Sequence, residues 1–377
     1  MPQLQRNDRT LFYTTVLMVF FGLLMVWSAS SVMAKLRFQD PLHFVWQQAG
    51  ALVLAVILMM ALKRTHYRKL QGPHVAFAAI GLVLILLAAV YLIDARNHRW
   101  LRLGAVGIQP AELAKPAVVL FLAWFVTLRA RAINNPHTYL PALLAVGVVT
   151  VLIAVPDFGT AAVIVITAAA VFFVAGLDRR YFFVLTAFTV LLGAVAVIAR
   201  PYRLNRVVQF YDPQYKFVDK IDPQGKIKGY LQRSMTARDT NYQAEQSKIA
   251  VGAGGPRGLG LTHGVQKLFF LPESHTDFIY SVVCEEMGLA GSLGILGGFL
   301  LIGWRGLRAT AGARDDFARY LAVGITTMIL VQAFLNISVA LAMVPTKGIP
   351  LPMISSGGSS LLSTLTMIGM LMNVSEN

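Results

Sequence analysis

Ten stretches of mostly apolar residues constrain this chain more than anything else in it. They fall at roughly 11–31, 43–62, 74–93, 112–128, 139–155, 159–176, 181–199, 278–303, 318–344 and 359–375. Each is close to the ~20 residues that a helix needs to cross the hydrocarbon of a bilayer. Backbone N–H and C=O groups find no water there, so an isolated spanning segment must satisfy them internally as an α-helix. The pattern predicts an all-α, polytopic membrane protein with about ten transmembrane helices, one domain over residues 1–377. Composition agrees: 56% of residues are hydrophobic and 14% charged, against ~25% charged in soluble domains. A soluble globular enzyme and a disordered chain are both excluded. The first apolar run exceeds the ~7–15 residues of a signal-peptide core, so it reads as an uncleaved span.

The net charge of +15 would suggest nucleic acid in a soluble protein. No basic run here is interleaved with stacking aromatics, so no nucleic-acid partner is expected. The cations read as orientation signals and contacts to anionic membrane lipid. With the N-terminus inside, the inner segments hold fourteen Lys and Arg: Arg6, Arg9, Lys63, Arg64, Arg68, Lys69, Arg129, Arg131, Arg179, Arg180, Arg305, Arg308, Arg314 and Arg319. The short outer loops hold six: Lys35, Arg37, Arg96, Arg99, Arg102 and Lys347. Both termini are therefore predicted to be cytoplasmic, and the long polar connection 200–277 to lie outside. Turn signals at Asp212-Pro213 and Asp222–Gly225 predict a mobile stretch near 212–240. A short helix is expected at Gln243–Ala250, then a glycine-rich turn over Gly252–Gly260. The single cysteine, Cys284, rules out an intramolecular disulfide and reads as inert packing.

Charge at a membrane needs a reason, and four polar blocks sit at the outer ends of the predicted helices. Gln109–Lys115 opens the fourth span, with Glu112 and Lys115 three apart on one face: either a self-satisfying ion pair or one charged wall of an outward cavity. Asp157, in the tight turn Pro156–Thr160, either caps the next helix or faces a cation. Leu271–Phe278 enters the eighth span, and Asp277 is again either an N-cap or a general base. Helical phase puts Ser281, Cys284 and Glu285 on the half that carries Asp277, and Glu286 opposite; both glutamates also suit bonding to neighbouring helices. Finally, three prolines within Pro345–Pro352 forbid a regular helix. The Gly357-Gly358 pair, beside Ser355 and Ser359, offers amides for an anion or simply turns the chain.

With these blocks in view, the sequence resembles the SEDS family (shape, elongation, division and sporulation; FtsW, RodA and SpoVE type). Gln109–Lys115 is similar to the family's QPSELAK, Pro156–Thr160 to PDLGT, Pro272–Phe278 to PE-x-HTDF, and Pro345–Ser360 to PTKG-x-PLP-x-x-S-x-GGSS. The four blocks keep their order, and the resemblance covers nearly the whole chain. Lys347 and Gln266-Lys267 bring it nearest the FtsW branch. It departs at Ser356, where the family has tyrosine, at Ala111, where serine is common, and in a longer stretch near 213–240.

The resemblance implies a peptidoglycan glycosyltransferase of the bacterial cytoplasmic (inner) membrane. It implies a glycan strand on undecaprenyl pyrophosphate passed to lipid II, a class B penicillin-binding protein as transpeptidase partner, and other division or elongation proteins around it. Asp277 matches the family's catalytic aspartate. An α-linked pyrophosphate becoming a β-1,4 bond needs one inversion, so one base suffices. Arg99, Arg102, Lys115 and Lys347 are candidates to offset pyrophosphate charge. Glu112, Asp157, Lys267, Glu273, His275, Thr276, Ser355 and Ser359 are further candidates to bind substrate or orient the base. A divalent cation (Mg or Mn) is the candidate cofactor, although no dedicated cluster of His and carboxylates stands out. Two other functions remain: a lipid II flippase, which would favour inverted repeats and midplane charges, and a non-enzymatic recruiter of a transpeptidase.

Overall fold

The computed structural model describes residues 8–94, 98–103, 106–222, 224–232, 240–345 and 348–377. The first helices are α1 (Arg9–Phe38), α2 (His43–Arg64) and α3 (Pro73–Ile93). A small antiparallel hairpin follows, β1 (Leu101–Leu103) and β2 (Val106–Ile108). Then come α4 (Pro110–Arg129), α5 (Pro136–Ala154), α6 (Phe158–Val174) and α7 (Arg179–Ile198). The long connection holds α8 (Pro201–Tyr211), α9 (Lys216–Ile221), α10 (Lys226–Gln232) and α11 (Thr240–Gly254), and the chain ends in α12 (Ile279–Ala311), α13 (Asp316–Ala340) and α14 (Gly358–Glu376).

All ten apolar segments are helical. Among the described residues, eight helices are long and apolar enough to cross a membrane: α1 to α5, α7, α12 and α13. The other two fall short of the expected ten for different reasons. α6 has 17 residues, about 26 Å at 1.5 Å per residue. α14 is interrupted by Ser, Thr and Gly and does not reach the same apolarity.

α4 and α13 are buried along most of their length, whereas α7 buries no residue. The first two form the centre of the bundle, and α7 presents its side chains outward, where its apolar composition suits lipid. The two central helices carry the polar cargo: Glu112 and Lys115 on α4, Gln332 and Asn336 one turn apart on α13.

The two ends of the bundle differ. At one, Asp8 takes Arg305 (2.9 Å), Lys63 takes Glu376 (3.1 Å) and the Tyr67 hydroxyl donates to Asp315 (2.9 Å). The other gathers Arg99, Asp157, Asp277 and the irregular segment 348–357. Within the long connection 200–277, four helices lie before residue 255, and α8 to α10 close a small core of Tyr215, Val218 and Leu231 against Leu204 and Val208. The Tyr215 hydroxyl donates to Asn205 (2.6 Å) and accepts from Gln209 (2.9 Å). The helix expected at 243–250 is the middle of α11.

Candidate active site

Asp277 sits two residues before α12, and no side chain caps that helix. Its position is set through its backbone. Asn336 Nδ2 donates to the Asp277 carbonyl (2.8 Å) and to that of Ile349 (2.7 Å). Ser355 Oγ donates to the Thr276 carbonyl (2.5 Å), and the His275 carbonyl accepts from the Ser356 amide (2.9 Å). The turn and the proline-rich segment are thus stitched together. At Gly348 the approach is so close that a Cβ would lie 2.6 Å from Asp277 Oδ2, so only glycine leaves the carboxylate its place. Burial pushes the Asp277 carboxyl up to about 7; Glu273 and Asp157 add to this, while Arg99 and Arg206 oppose it. Removing a carboxylate from water disfavours its charged form, which leaves a group able to exchange a proton near neutrality.

Arg99 bridges two of the blocks. Its Nη2 lies 3.4 Å from the Gly348 carbonyl and 3.6 Å from Asp157 Oδ2. Its Nε is buried with no hydrogen-bond partner among the described residues. Asp157 is fully engaged: it accepts from the Thr160 amide (3.1 Å), Thr160 Oγ1 (2.9 Å) and Gln109 Nε2 (3.2 Å). It is therefore both the α6 N-cap and the anchor of Arg99. Arg206, on α8, feels the Asp277 charge, and its own burial lowers it to about 10, so it stays cationic near neutral pH.

Glu112 and Lys115 form an ion pair of 2.5 Å with both side chains 1% exposed. Lys115 Nζ also donates to Gln332 Oε1 (2.6 Å), and Gln332 Nε2 donates to the Pro350 carbonyl (2.8 Å). The pair is thus not an open wall of the cavity. It lies buried beneath the proline-rich segment, coupled to Asp277 through the Gln332–Asn336 edge of α13. Gln332 and Asn336 were missed from the sequence; two amides at i and i+4 within an otherwise apolar span were the available signal. Gln109 and Arg206 were also missed as site residues.

Several expected contacts are turned to scaffolding. Ser355 Oγ additionally accepts from the Leu351 amide (2.8 Å), and Ser359 Oγ accepts from the Gln109 amide (3.0 Å). The Gly357 amide goes to Gln48 Oε1 (2.9 Å), so it is not free for an anion. Glu273, exposed and at φ +55°, accepts from Thr276 Oγ1 (2.8 Å) and shapes the turn. His275 is buried against Phe44, ring centres 4.7 Å apart, with Nδ1 unpartnered among the described residues. Burial lowers its pKa, with Glu273 acting weakly against, so it is a neutral donor or acceptor at physiological pH.

Two further candidate cations differ in their surroundings. Arg102 lies on β1, exposed, opposite Gly107, and joins no ion pair among the described residues. Lys267 is not presented to a substrate: its Nζ lies 2.5 Å from Glu286 Oε1 and 3.0 Å from Ser28 Oγ. A desolvated ammonium takes the nearest carboxylate, and Glu286 supplies it. Glu285 also turns to this segment rather than to Asp277. Lys347 lies outside the described residues.

Comparison with known proteins matches this arrangement over the full chain. A family model described as "Cell cycle protein" and labelled for FtsW, RodA and SpoVE matches residues 8–377. A probable peptidoglycan glycosyltransferase FtsW from Geobacter metallireducens is 35% identical, covering 100% of this chain and 96% of that protein. Stage V sporulation protein E of Bacillus subtilis is 36% identical, covering 98% and 97%. Among solved structures, a chain of a peptidoglycan synthase complex that coordinates polymerization and crosslinking aligns with TM-score 0.73 and 27% identity over 98% of this chain and 97% of that one. The rod shape determining protein RodA of Thermus thermophilus aligns with TM-score 0.65 and 26% identity, covering 99% and 98%. This multi-pass membrane protein belongs to the FtsW/RodA/SpoVE family of cell cycle proteins.

Proposed function

We propose that this chain is a peptidoglycan glycosyltransferase that moves the growing glycan strand from undecaprenyl pyrophosphate to a sugar hydroxyl of lipid II. The observation that carries the reading is Asp277: a half-buried carboxylate raised to about 7, facing Arg99 and Arg206 at one end of a membrane bundle. A sugar hydroxyl is a poor nucleophile until a base takes its proton. A base is most effective when its pKa lies near the operating pH. Asp277 accepts the hydroxyl proton as the oxygen attacks the anomeric carbon. The bond to pyrophosphate breaks on the opposite face, giving inversion without a covalent intermediate. The departing pyrophosphate gathers negative charge, which Arg99 and Arg206 offset. The neighbouring carboxylate Asp157 keeps Arg99 oriented.

The Asp277 end is the extracytoplasmic one in this reading, with both termini in the cytoplasm of a cell with an inner membrane. The Lys and Arg bias supports that orientation. A Mg or Mn ion would enter as a companion of the pyrophosphate oxygens, since among the described residues no three His, Cys, Asp or Glu side chains converge to hold one. The partner is a class B penicillin-binding protein that crosslinks the new strand. The relatives named FtsW and SpoVE support a role in cell division or sporulation.

The test is polymerisation by purified protein with its transpeptidase partner and labelled lipid II. Wild type is expected to yield glycan ladders and Asp277→Ala none. Ladders of wild-type length from Asp277→Ala would overturn the assignment of the base. Transbilayer movement of lipid II without any ladder from wild type would favour a transporter instead.

A further inference from the structure

The chain between α11 and α12 has no helix of its own, yet it is tied deep into α12. The tie begins where α12 breaks. Gly288 takes φ +60° and ψ −149°, a conformation that a side chain would strain, and the helical ladder is interrupted there. The Glu285 and Glu286 carbonyls then accept from the Leu259 amide (2.9 Å) and the Gly260 amide (2.9 Å), while the Leu289 amide turns to the Gly255 carbonyl (3.1 Å).

The side chains of the same two glutamates grip the same segment. Glu285 Oε1 accepts from the Val265 amide (2.8 Å) and the Gln266 amide (3.1 Å). Glu286 Oε2 accepts from the Thr262 amide (3.1 Å) and from Ser28 Oγ of α1 (2.6 Å). Lys267 Nζ completes the knot on Glu286 Oε1 (2.5 Å), with the two side chains 3% and 0% exposed. Ten residues further on, the same segment delivers Asp277.

We propose that Lys267 and Glu286 are positioning residues for Asp277, fixing the register of the segment that carries the base against α12 and α1. The inference rests on the glycosyltransferase reading above. A buried ion pair adds little net stability over an apolar pair of similar volume, so stability alone does not account for it. Register does: Glu286 receives a backbone amide, a lysine and a hydroxyl from two different elements, and those bonds form together in one alignment. Slippage of the segment would move Asp277 relative to Arg99 and Gly348. The effect acts through the base rather than through substrate contact.

The experiment is steady-state polymerisation at varied lipid II, with the partner present, for wild type, Asp277→Ala, Lys267→Met, Lys267→Arg and the double variant Lys267→Met/Glu286→Met. Lys267→Met is expected to lower kcat by about 10- to 100-fold, the range that a misplacement near 1 Å brings, with KM within about twofold of wild type. Lys267→Arg, which keeps the charge, is expected to recover most of the rate. Lys267→Met alone leaves a buried carboxylate unpaired and can fail to fold, so thermal melting is followed in parallel. The double variant is expected to melt like wild type while kcat stays low, because the Thr262 amide has lost its acceptor. A wild-type kcat in the double variant overturns the proposal, and so does a raised KM at unchanged kcat in Lys267→Met, which would make Lys267 a substrate ligand. Absence of product from wild type would instead strike the glycosyltransferase reading itself.

Discussion

Asp157 and Asp277 look alike in sequence. Each follows a turn, precedes an apolar helix by one or two residues, and suits an N-cap. The structure separates them by what surrounds their oxygens. Asp157 caps α6, holds Gln109 and sits 3.6 Å from Arg99. No side chain caps α12, and the Asp277 carboxyl rises to about 7 through burial. The same side chain is an anchor where donors converge on it and is suited to the proposed role of base where they are withheld. That difference comes from the partners, Thr160 and Gln109 on one side and the crowding of Gly348 on the other.

The comparison breaks most readily by making the same substitution at both positions. Asp277→Asn keeps size and loses the base, so polymerisation should fall by at least ~10²-fold, read as loss of glycan ladders, while the folded protein persists. Next in size is Arg99→Ala. It removes a cation aimed between Asp157 and Gly348, and a preorganised donor of this kind is worth ~10² or more in kcat. Arg99→Ala activity within twofold of wild type would show that the charge is not used in the rate-limiting step.

The pH dependence sharpens the contrast further, because activity and stability should run in opposite directions. The base must be ionised, so activity is expected to fall as pH drops through about 7. Stability behaves inversely. The folded state binds the Asp277 proton more tightly than the unfolded chain, so this group favours the fold at low pH and loses that contribution as pH rises from the ordinary carboxylate range through about 7. Asp277→Asn should therefore melt at or above the wild-type temperature at pH 8, and the advantage should vanish near pH 4. An Asn variant less stable than wild type at pH 8 would mean that the carboxylate is a structural partner like Asp157.

Much of this was legible in the residues. The ten helices follow from apolar length, and Asp277, Glu112, Lys115 and Asp157 stand out because charge near a bilayer is expensive. Pairing was harder to read. Lys267 and Glu286 lie 19 positions apart and meet only because Gly288 breaks α12 and lets the preceding segment in. Helical phase groups Glu285 with Asp277, but Asp277 precedes α12 and does not share its phase, and Glu285 accepts from the Val265 amide instead. Gln332 and Asn336 are amides, without the charge that draws notice, yet they hold Pro350, Ile349 and Asp277 together. Ser355 and Ser359 looked like ligands because a hydroxyl in a glycine-rich loop has the same chemistry whether it faces a phosphate or a backbone amide.

The smallest effects are expected at Asp157, where the character of the substitution matters more than the loss of charge. Asp157→Ala removes the α6 cap, at a cost near ~1 kcal/mol, and strands Gln109 Nε2 and Arg99 beside an apolar methyl. Melting should fall, and the rate with it, since Arg99 loses one of the two oxygens that orient it. Asn is as good an N-cap as Asp, and its side-chain oxygen can still accept from the Thr160 amide. Asp157→Asn should therefore keep the cap and melt close to wild type, while the amide nitrogen it turns toward Gln109 Nε2 and Arg99 loosens Arg99 and costs part of the rate, far less than the identical change costs at Asp277. Equal loss of activity in the two Asn variants would mean that the Asp157 charge is itself required, and the division between anchor and base would fail.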